Sequence, residues 1–258
     1  MIKNNYKVIV LFDGTRYSGW QYQNPHTPTI QGELVRALKV IAKKRVVVTG
    51  SSRTDAGVHS SGLTANFHLA IKIEPQSLQR ALNSLLPEDI RIAHCELMDK
   101  SFNARYGAVG KTYIYRIFSG PVLSPFRCRY YTHIPYPLDL SAMRRAVKHF
   151  TGQKDFSSFT SDEPNKKRSR EITAFTMRVR GKEITFTVTG KSFLRYMVRN
   201  MVGTVIDVGR GKIAVKDIPA IFAAKDRRAA GQTAPPHGLT LARVEYEEPE
   251  LAEGSSEP

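Results

Sequence analysis

Between Tyr6 and Phe12 every second residue is apolar: Tyr6, Val8, Val10 and Phe12. That is the period of a strand with one buried face, and Asp13-Gly14 closes it as a turn. After a polar, proline-containing stretch at 21–28 the period changes. Leu34, Leu38 and Ile41 recur at helical spacing behind Thr29, a good N-cap, which predicts a helix over 30–44. A short strand at 46–48 runs into a glycine- and serine-rich loop over 50–62. A strand near 63–69, a helix near 76–86 and a strand near 91–97 follow. The order then resumes loosely. Residues 111–118 alternate, with Tyr113, Tyr115 and Ile117 on one side, and Asp139 or Ser141 starts a helix to about 150. Residues 172–179 and 183–189 read as a hairpin turning at Gly181-Lys182. A long helix over 193–208, a short one over 216–224 and a last strand over 239–246 complete the pattern.

The same mixed order occurring twice predicts an α+β fold in two halves of similar plan, 1–105 and 106–246. At 258 residues, 41% of them hydrophobic, the chain has material for a substantial core. No apolar run is long enough to span a bilayer, and no basic segment followed by an apolar stretch opens the chain. Cys95 and Cys128 make no disulfide framework and have no metal-ligand spacing, which predicts a cytoplasmic protein without structural zinc.

Charge sharpens the picture. The chain carries 39 Lys and Arg against 23 Asp and Glu, a net of +16. Residues 1–105 hold 14 basic and 8 acidic side chains, residues 106–246 hold 25 and 10, and residues 247–258 hold five acids and no base. The last stretch reads as a solvated, disordered tail. A basic body suits a polyanion, because lysine and arginine displace counterions from phosphates. A membrane surface is the other candidate, but no predicted helix pairs a basic face with a strong apolar one. Nucleic acid is therefore the favoured partner.

The densest chemical signal is the loop 50–62, where small and hydroxylated residues surround Arg53, Asp55 and His59. Such a loop either exposes functional side chains or is merely a turn in which Asp55 bonds its own backbone. Arg199 supplies a second signal. It lies in the helical stretch 193–208, which is apolar around most of its circumference and so is predicted to be buried. A buried guanidinium needs an anionic partner. It pairs with a catalytic carboxylate, pairs with a structural acid such as Asp207, or snorkels to the surface. Tyr113 and Tyr115 alternate beside Lys111; one suits base stacking and the other the core. The run Lys166-Lys167-Arg168-Ser169-Arg170 is either a solvated loop or a phosphate contact. No phosphate-binding glycine loop, nucleophile elbow or zinc helix is present. The glycines at 209 and 211 follow a helical pattern, which makes a dinucleotide site a poor reading.

Arg53-Thr54-Asp55-Ala56-Gly57-Val58-His59 resembles the active-site loop of the tRNA pseudouridine synthase A family. Further stretches resemble that family in the same order. They are Lys111-Thr112-Tyr113-Ile114-Tyr115, Asp155-Phe156-Ser157-Ser158-Phe159, 193–200, Gly203 and Ala234-Pro235-Pro236-His237-Gly238-Leu239. The resemblance implies a cofactor-free, metal-free isomerisation of uridine to pseudouridine in the tRNA anticodon stem-loop. It makes Asp55 the nucleophile, at C1′ or C6, and Arg199 its ion-pair partner. Tyr113 becomes the ring that stacks on the flipped base and assists removal of the C5 proton. Arg53 takes the flipped nucleotide's place and contacts the backbone. Lys166, Lys167 and Arg168 are read as phosphate contacts. The resemblance also implies two RNA-recognition-like (ferredoxin-like) halves sharing a central antiparallel sheet flanked by helices, with the active-site cleft between them, and a homodimer. Ser52, Lys154, Ser60 and Leu63 depart from the family's usual residues. Ser52 stands where glycine is usual, so a positive φ there would be strained.

Overall fold

The computed structural model describes residues 4–161 and 167–247; Lys166 and the acidic stretch from 248 onward lie outside them. The strands are β1 (Asn4–Phe12), β2 (Val48–Gly50), β3 (His59–Leu69), β4 (Ile90–Met98), β5 (Ala108–Ser119), β6 (Thr132–Ile134), β7 (Gly152–Asp155), β8 (Ser169–Arg180), β9 (Glu183–Gly190) and β10 (Leu239–Tyr246). The helices are α1 (Ile30–Ala42), α2 (Pro75–Leu85), α3 (Leu140–Val147), α4 (Met197–Gly209) and α5 (Ile218–Ala224). All ten strands join one sheet, in the order β4-β1-β3-β10-β5-β9-β8-β7, with β2 beside β3 and β6 beside β5.

Local chemistry accounts for most of these boundaries. Thr29 caps α1 by accepting from the Gly32 amide, Asp139 caps α3 through Ala142, and Glu74 caps α2 through Ser77, just before a proline at the first helical position. The alternating face of β1 is buried in one core with Leu34 and Leu38 of α1 and Leu78 and Leu82 of α2. The same core runs on through Tyr115, Ile117, Phe186 and Val188 to the apolar residues of α3 and α4.

The sheet is mixed, which corrects the expectation of an antiparallel one. β10 runs antiparallel to β5, and that direction leaves it parallel to β3. The β3–β10 pairing covers only His59 with Thr240 and Ser60 with Leu241. Ser60 secures it by donating its hydroxyl to the Leu241 carbonyl at 3.1 Å. A Cβ at Gly62 would stand 2.3 Å from the Ala242 carbonyl oxygen, so only glycine permits the approach. Two boundaries also move. His59 opens β3, so the loop is shorter than the pattern suggested. Helix α4 starts at Met197 because Tyr196 takes a left-handed conformation at φ 60°. Among the described residues no helix is long and apolar enough to cross a membrane.

Helix α4 is buried all round except at Arg199 and is the spine of the second half of the chain. Its buried polar residues recur at i, i+4 and i+7, and each ties down the segment 227–234. Asn200 accepts from Thr233 and Arg227, Thr204 from the Gly231 amide, and Asp207 from the Gln232 amide. Gly203 faces the same segment, and a Cβ there would come within 1.7 Å of the Gln232 carbonyl oxygen. Backbone cannot yield as a flexible side chain can. Gly203→Ala should therefore cost about 3 kcal/mol of stability, measured by denaturant unfolding, and loosen the strand of chain that ends at Ala234.

Candidate active site

Residues 51–58 reach from β2 to β3 and are pinned along their length. The Ser51 amide bonds Thr64 O at 2.8 Å, the Trp20 amide bonds Thr54 O at 3.1 Å, and the Gly57 amide bonds Tyr17 O at 3.3 Å. Gly57 itself sits at φ 76°, a turn that a residue with a Cβ resists. Ser52 is not among the residues with positive φ, so its departure from glycine carries no backbone strain. Its side chain is buried beside the Tyr113 hydroxyl. His59 is buried behind the loop. The Gly14 amide donates to its Nδ1 at 3.0 Å, which leaves Nε2–H to donate to the His237 carbonyl at 3.2 Å. Asp13 Oδ1 also lies 3.1 Å from Nδ1. One ring nitrogen cannot both accept from Gly14 and donate to Asp13, so the two groups compete for Nδ1.

Asp55 does not fold back on its own backbone. Its Oδ2 receives Arg199 Nη1 at 3.2 Å, across 144 residues of sequence. The two side chains are 23% and 12% exposed, so the pair is largely desolvated while one carboxylate edge stays reachable. Arg199 is held on two further sides. Its Nε donates to Ala234 O at 2.7 Å, and its guanidinium lies 5.1 Å from the centre of the Tyr196 ring. Asp207, the rival partner, faces Arg210 and the Gln232 amide instead. Burial raises the Asp55 pKa above the ordinary carboxylate value, and the charges of Arg199 and Arg195 act against that rise. A carboxylate that is poorly hydrated yet held near a cation is a reactive base or nucleophile.

Tyr113 and Tyr115 lie on the same side of β5 and are both buried, 8% and 0% exposed. Tyr115 is wholly buried, and its hydroxyl bonds Thr132 and the Pro235 carbonyl, which makes it part of the framework. Tyr113 packs edge-on against Phe193 at 5.0 Å and is close enough to Asp55 to feel its charge. Burial pushes its phenol up to about 12, so it keeps its proton at neutral pH. Arg53 is exposed and makes no hydrogen bond or ion pair among the described residues. Lys167 is exposed and Arg168 is half-buried, just before β8. The sequence reading missed Phe193, Tyr196 and the Ala234 carbonyl as supports of the site. Both segments had a signal only as stretches, 193–200 and 234–239, that resemble the family. No group of three or more His, Cys, Asp or Glu is placed to hold a metal among the described residues.

An α+β sheet presenting a clamped carboxylate beside a tyrosine, within a strongly basic chain, has the form of an enzyme acting on nucleic acid. Comparison gives that form a family. A sequence profile described as tRNA pseudouridine synthase matches residues 8–107 and 146–247. A protein of Desulfotalea psychrophila named tRNA pseudouridine synthase A 1 is 41% identical over 250 residues, covering 94% of this chain and 99% of its own. Proteins named tRNA pseudouridine synthase A from an Exiguobacterium species and from Thermodesulfovibrio yellowstonii are 43% and 38% identical. They cover 93% and 94% of this chain and 97% and 99% of their own. This chain belongs to the tRNA pseudouridine synthase family, a family of isomerases. Among solved structures, a Cbf5-Nop10-Gar1 complex covers 91% of this chain and 57% of its own at 12% identity and a TM-score of 0.38, a likeness too low to bear on the argument.

Proposed function

We propose that this protein converts uridine to pseudouridine in the anticodon stem-loop of tRNA, with Asp55 as nucleophile and no cofactor. The observation that carries the reading is the Arg199–Asp55 pair beside Tyr113. In the reaction the N1–C1′ bond breaks, a C5–C1′ bond forms, C5 gives up its proton and N1 ends with one. No atom is gained or lost, and no redox partner is needed. Asp55 adds to C1′ or to C6 and leaves again, and Arg199 keeps it ionised and aimed. The uridine must leave the helical stack to be reached, at a cost of a few kcal/mol. The ring face of Tyr113 receives the base, and Arg53, exposed and without a partner among the described residues, fills the space it vacates. In this reading residues 1–105 and 106–246 form two RNA-recognition-like halves with the cleft at the β3–β10 junction, and the enzyme works as a cytoplasmic homodimer. Charge supports tRNA as partner, since residues 106–246 alone carry 25 basic against 10 acidic side chains.

Tritium release from tRNA labelled at uridine C5 tests the reading, because C5 must lose its hydrogen while the mass of the product is unchanged. Release with pseudouridine at the mapped site is the expected result; no release from any unmodified tRNA would end it. The basic run at 166–168 is proposed as a phosphate contact. Replacing Lys166, Lys167 and Arg168 with alanine should weaken tRNA binding and flatten the slope of log affinity against log salt by roughly 2, at about 0.7 for each phosphate no longer neutralised. An unchanged slope would remove these residues from the interface.

A further inference from the structure

Among the described residues three other than glycine have a left-handed backbone: Lys43, Tyr196 and Lys225. Two of them close helices, Lys43 after α1 and Lys225 after α5. A left-handed residue is ordinary there, because it helps to satisfy the last carbonyls of the helix. Tyr196 stands instead at the head of α4, at φ 60° and ψ 1°, and its side chain makes no capping bond. A residue in that place is normally extended. With a Cβ the left-handed conformation is unfavourable, and it persists only where the surroundings hold it.

Two cations meet at its ring. The Arg195 guanidinium lies 4.8 Å from the ring centre and donates Nη2 to the Tyr196 hydroxyl at 3.0 Å. The Arg199 guanidinium lies 5.1 Å from the same centre, while its Nη1 reaches Asp55 at 3.2 Å. Two guanidiniums on one ring repel each other, and the negative face of the aromatic system offsets part of that repulsion. The chain ahead of Tyr196 is held too. Thr160 donates its hydroxyl to the Arg195 carbonyl at 3.1 Å, and Phe193 packs edge-on against Tyr113 at 5.0 Å. Both arginines act on Asp55, Arg199 through a hydrogen bond and its charge, Arg195 through its charge.

We propose that Tyr196 is a positioning residue for the reaction: its ring presses Arg199 onto Asp55 and keeps Arg195 beside that pair as a second cation, and its strained backbone is retained for this purpose. The proposal rests on the catalytic reading of Asp55 given above. Glycine adopts a left-handed backbone readily, so Tyr196→Gly relieves the strain while it removes the ring. The variant should melt at the wild-type temperature or above it, and turn over more slowly. The charged and titratable groups that act on Asp55 are Arg199, Arg195 and the Tyr113 phenol, which keeps its proton at neutral pH. Without the ring the two arginines spread apart and their lowering effect weakens. Burial, the larger effect, then takes the Asp55 pKa further up.

Asp55 is titrated directly by carbon NMR on protein labelled at the aspartate carboxyl carbon, its signal assigned by its absence from Asp55→Asn. Wild type, Tyr196→Gly and Tyr196→Phe are compared, and thermal unfolding, tRNA binding and kcat/KM for tritium release against pH are measured on each. In Tyr196→Gly the Asp55 titration and the acid limb of kcat/KM should both move to higher pH. Activity at pH 7 should fall by roughly a hundredfold, the scale of misplacing a reacting group by about 1 Å, while tRNA affinity stays within about threefold. Tyr196→Phe keeps the ring and should return both curves most of the way. Asparagine also tolerates a left-handed backbone, so Tyr196→Asn provides the same comparison should the glycine variant fail to fold. An Asp55 titration that does not move when the ring is lost overturns the proposal, whatever happens to activity. Loss of tRNA affinity in its place would make the ring an RNA contact. A moved titration in a protein whose wild type releases no tritium would leave Tyr196 setting the charge of Asp55 and the catalytic reading fallen.

Discussion

Asp55→Asn protein is expected to release no tritium from C5-labelled tRNA while binding that tRNA within about threefold of wild type. Removing a nucleophile that forms the covalent intermediate costs on the order of 10⁴-fold or more in turnover. RNA affinity, by contrast, comes from phosphate contacts and stacking that the amide leaves in place. The stability of the variant separates a chemical role from a structural one. Burial raises the folded-state pKa of Asp55 above its unfolded value. Such a group favours the folded state only below the unfolded pKa, and that contribution is lost as pH rises through the folded pKa. At neutral pH the ionised carboxylate therefore weighs against folding, offset in part by Arg199. The asparagine variant should melt at the same temperature or higher at pH 7.5. A catalytic residue that strains its fold behaves this way. Loss of activity together with a fall in melting temperature of ten degrees or more would instead make Asp55 a structural anchor.

How much of this was legible beforehand depends on the range over which each signal acts. The β1 alternation, the Thr29 and Asp139 caps and the Gly181 hairpin are local, and each stands where the pattern placed it. β7 (GQKD) has no apolar alternation. It is a strand only because β8 lends it a ladder. β6 is three residues beside the end of β5. The parallel β3–β10 seam rests on Ser60 and Gly62 meeting chain from 180 residues away, which no window of sequence displays. The late start of α4 has a different cause. Tyr196 is held left-handed, its ring against Arg195 and Arg199, where helical propensity would have carried the helix on. At the site, Asp55 and Arg199 drew attention as misfits, a charge in a small-residue loop and a charge in an apolar helix. The Ala234 carbonyl that holds Arg199 has no side chain to read. The stripe Asn200, Thr204 and Asp207, which places that carbonyl, could have been noticed as polar residues at i, i+4 and i+7 in a buried helix.

Arg199 should show its role in the pH dependence rather than in the size of the loss alone. Two effects compete at Asp55: burial raises its pKa, and the cations Arg199 and Arg195 lower it. Arg199 acts both as a hydrogen-bond donor and as a charge, Arg195 as a charge alone. Removing Arg199 leaves the larger, raising effect nearly unopposed. Arg199→Met is thus expected to move the acid limb of kcat/KM for tritium release to higher pH. The activity that survives should be greatest on the alkaline side, where the isolated carboxylate is again ionised. At pH 7 the loss should be about 10³-fold, the scale of removing a preorganised charge from a desolvated site, with recovery of about tenfold or more by pH 9. Arg199→Lys keeps a cation but loses the fork that reaches Asp55 and Ala234 together. It should hold the acid limb near the wild-type position and still turn over slowly, because the carboxylate is ionised but no longer aimed. A methionine variant whose acid limb stays in place while kcat falls would mean that Arg199 only orients Asp55. Equal falls at every pH in both variants, with a matching loss of thermal stability, would mean that it holds α4 to the segment ending at Ala234 and does nothing to the carboxylate's charge.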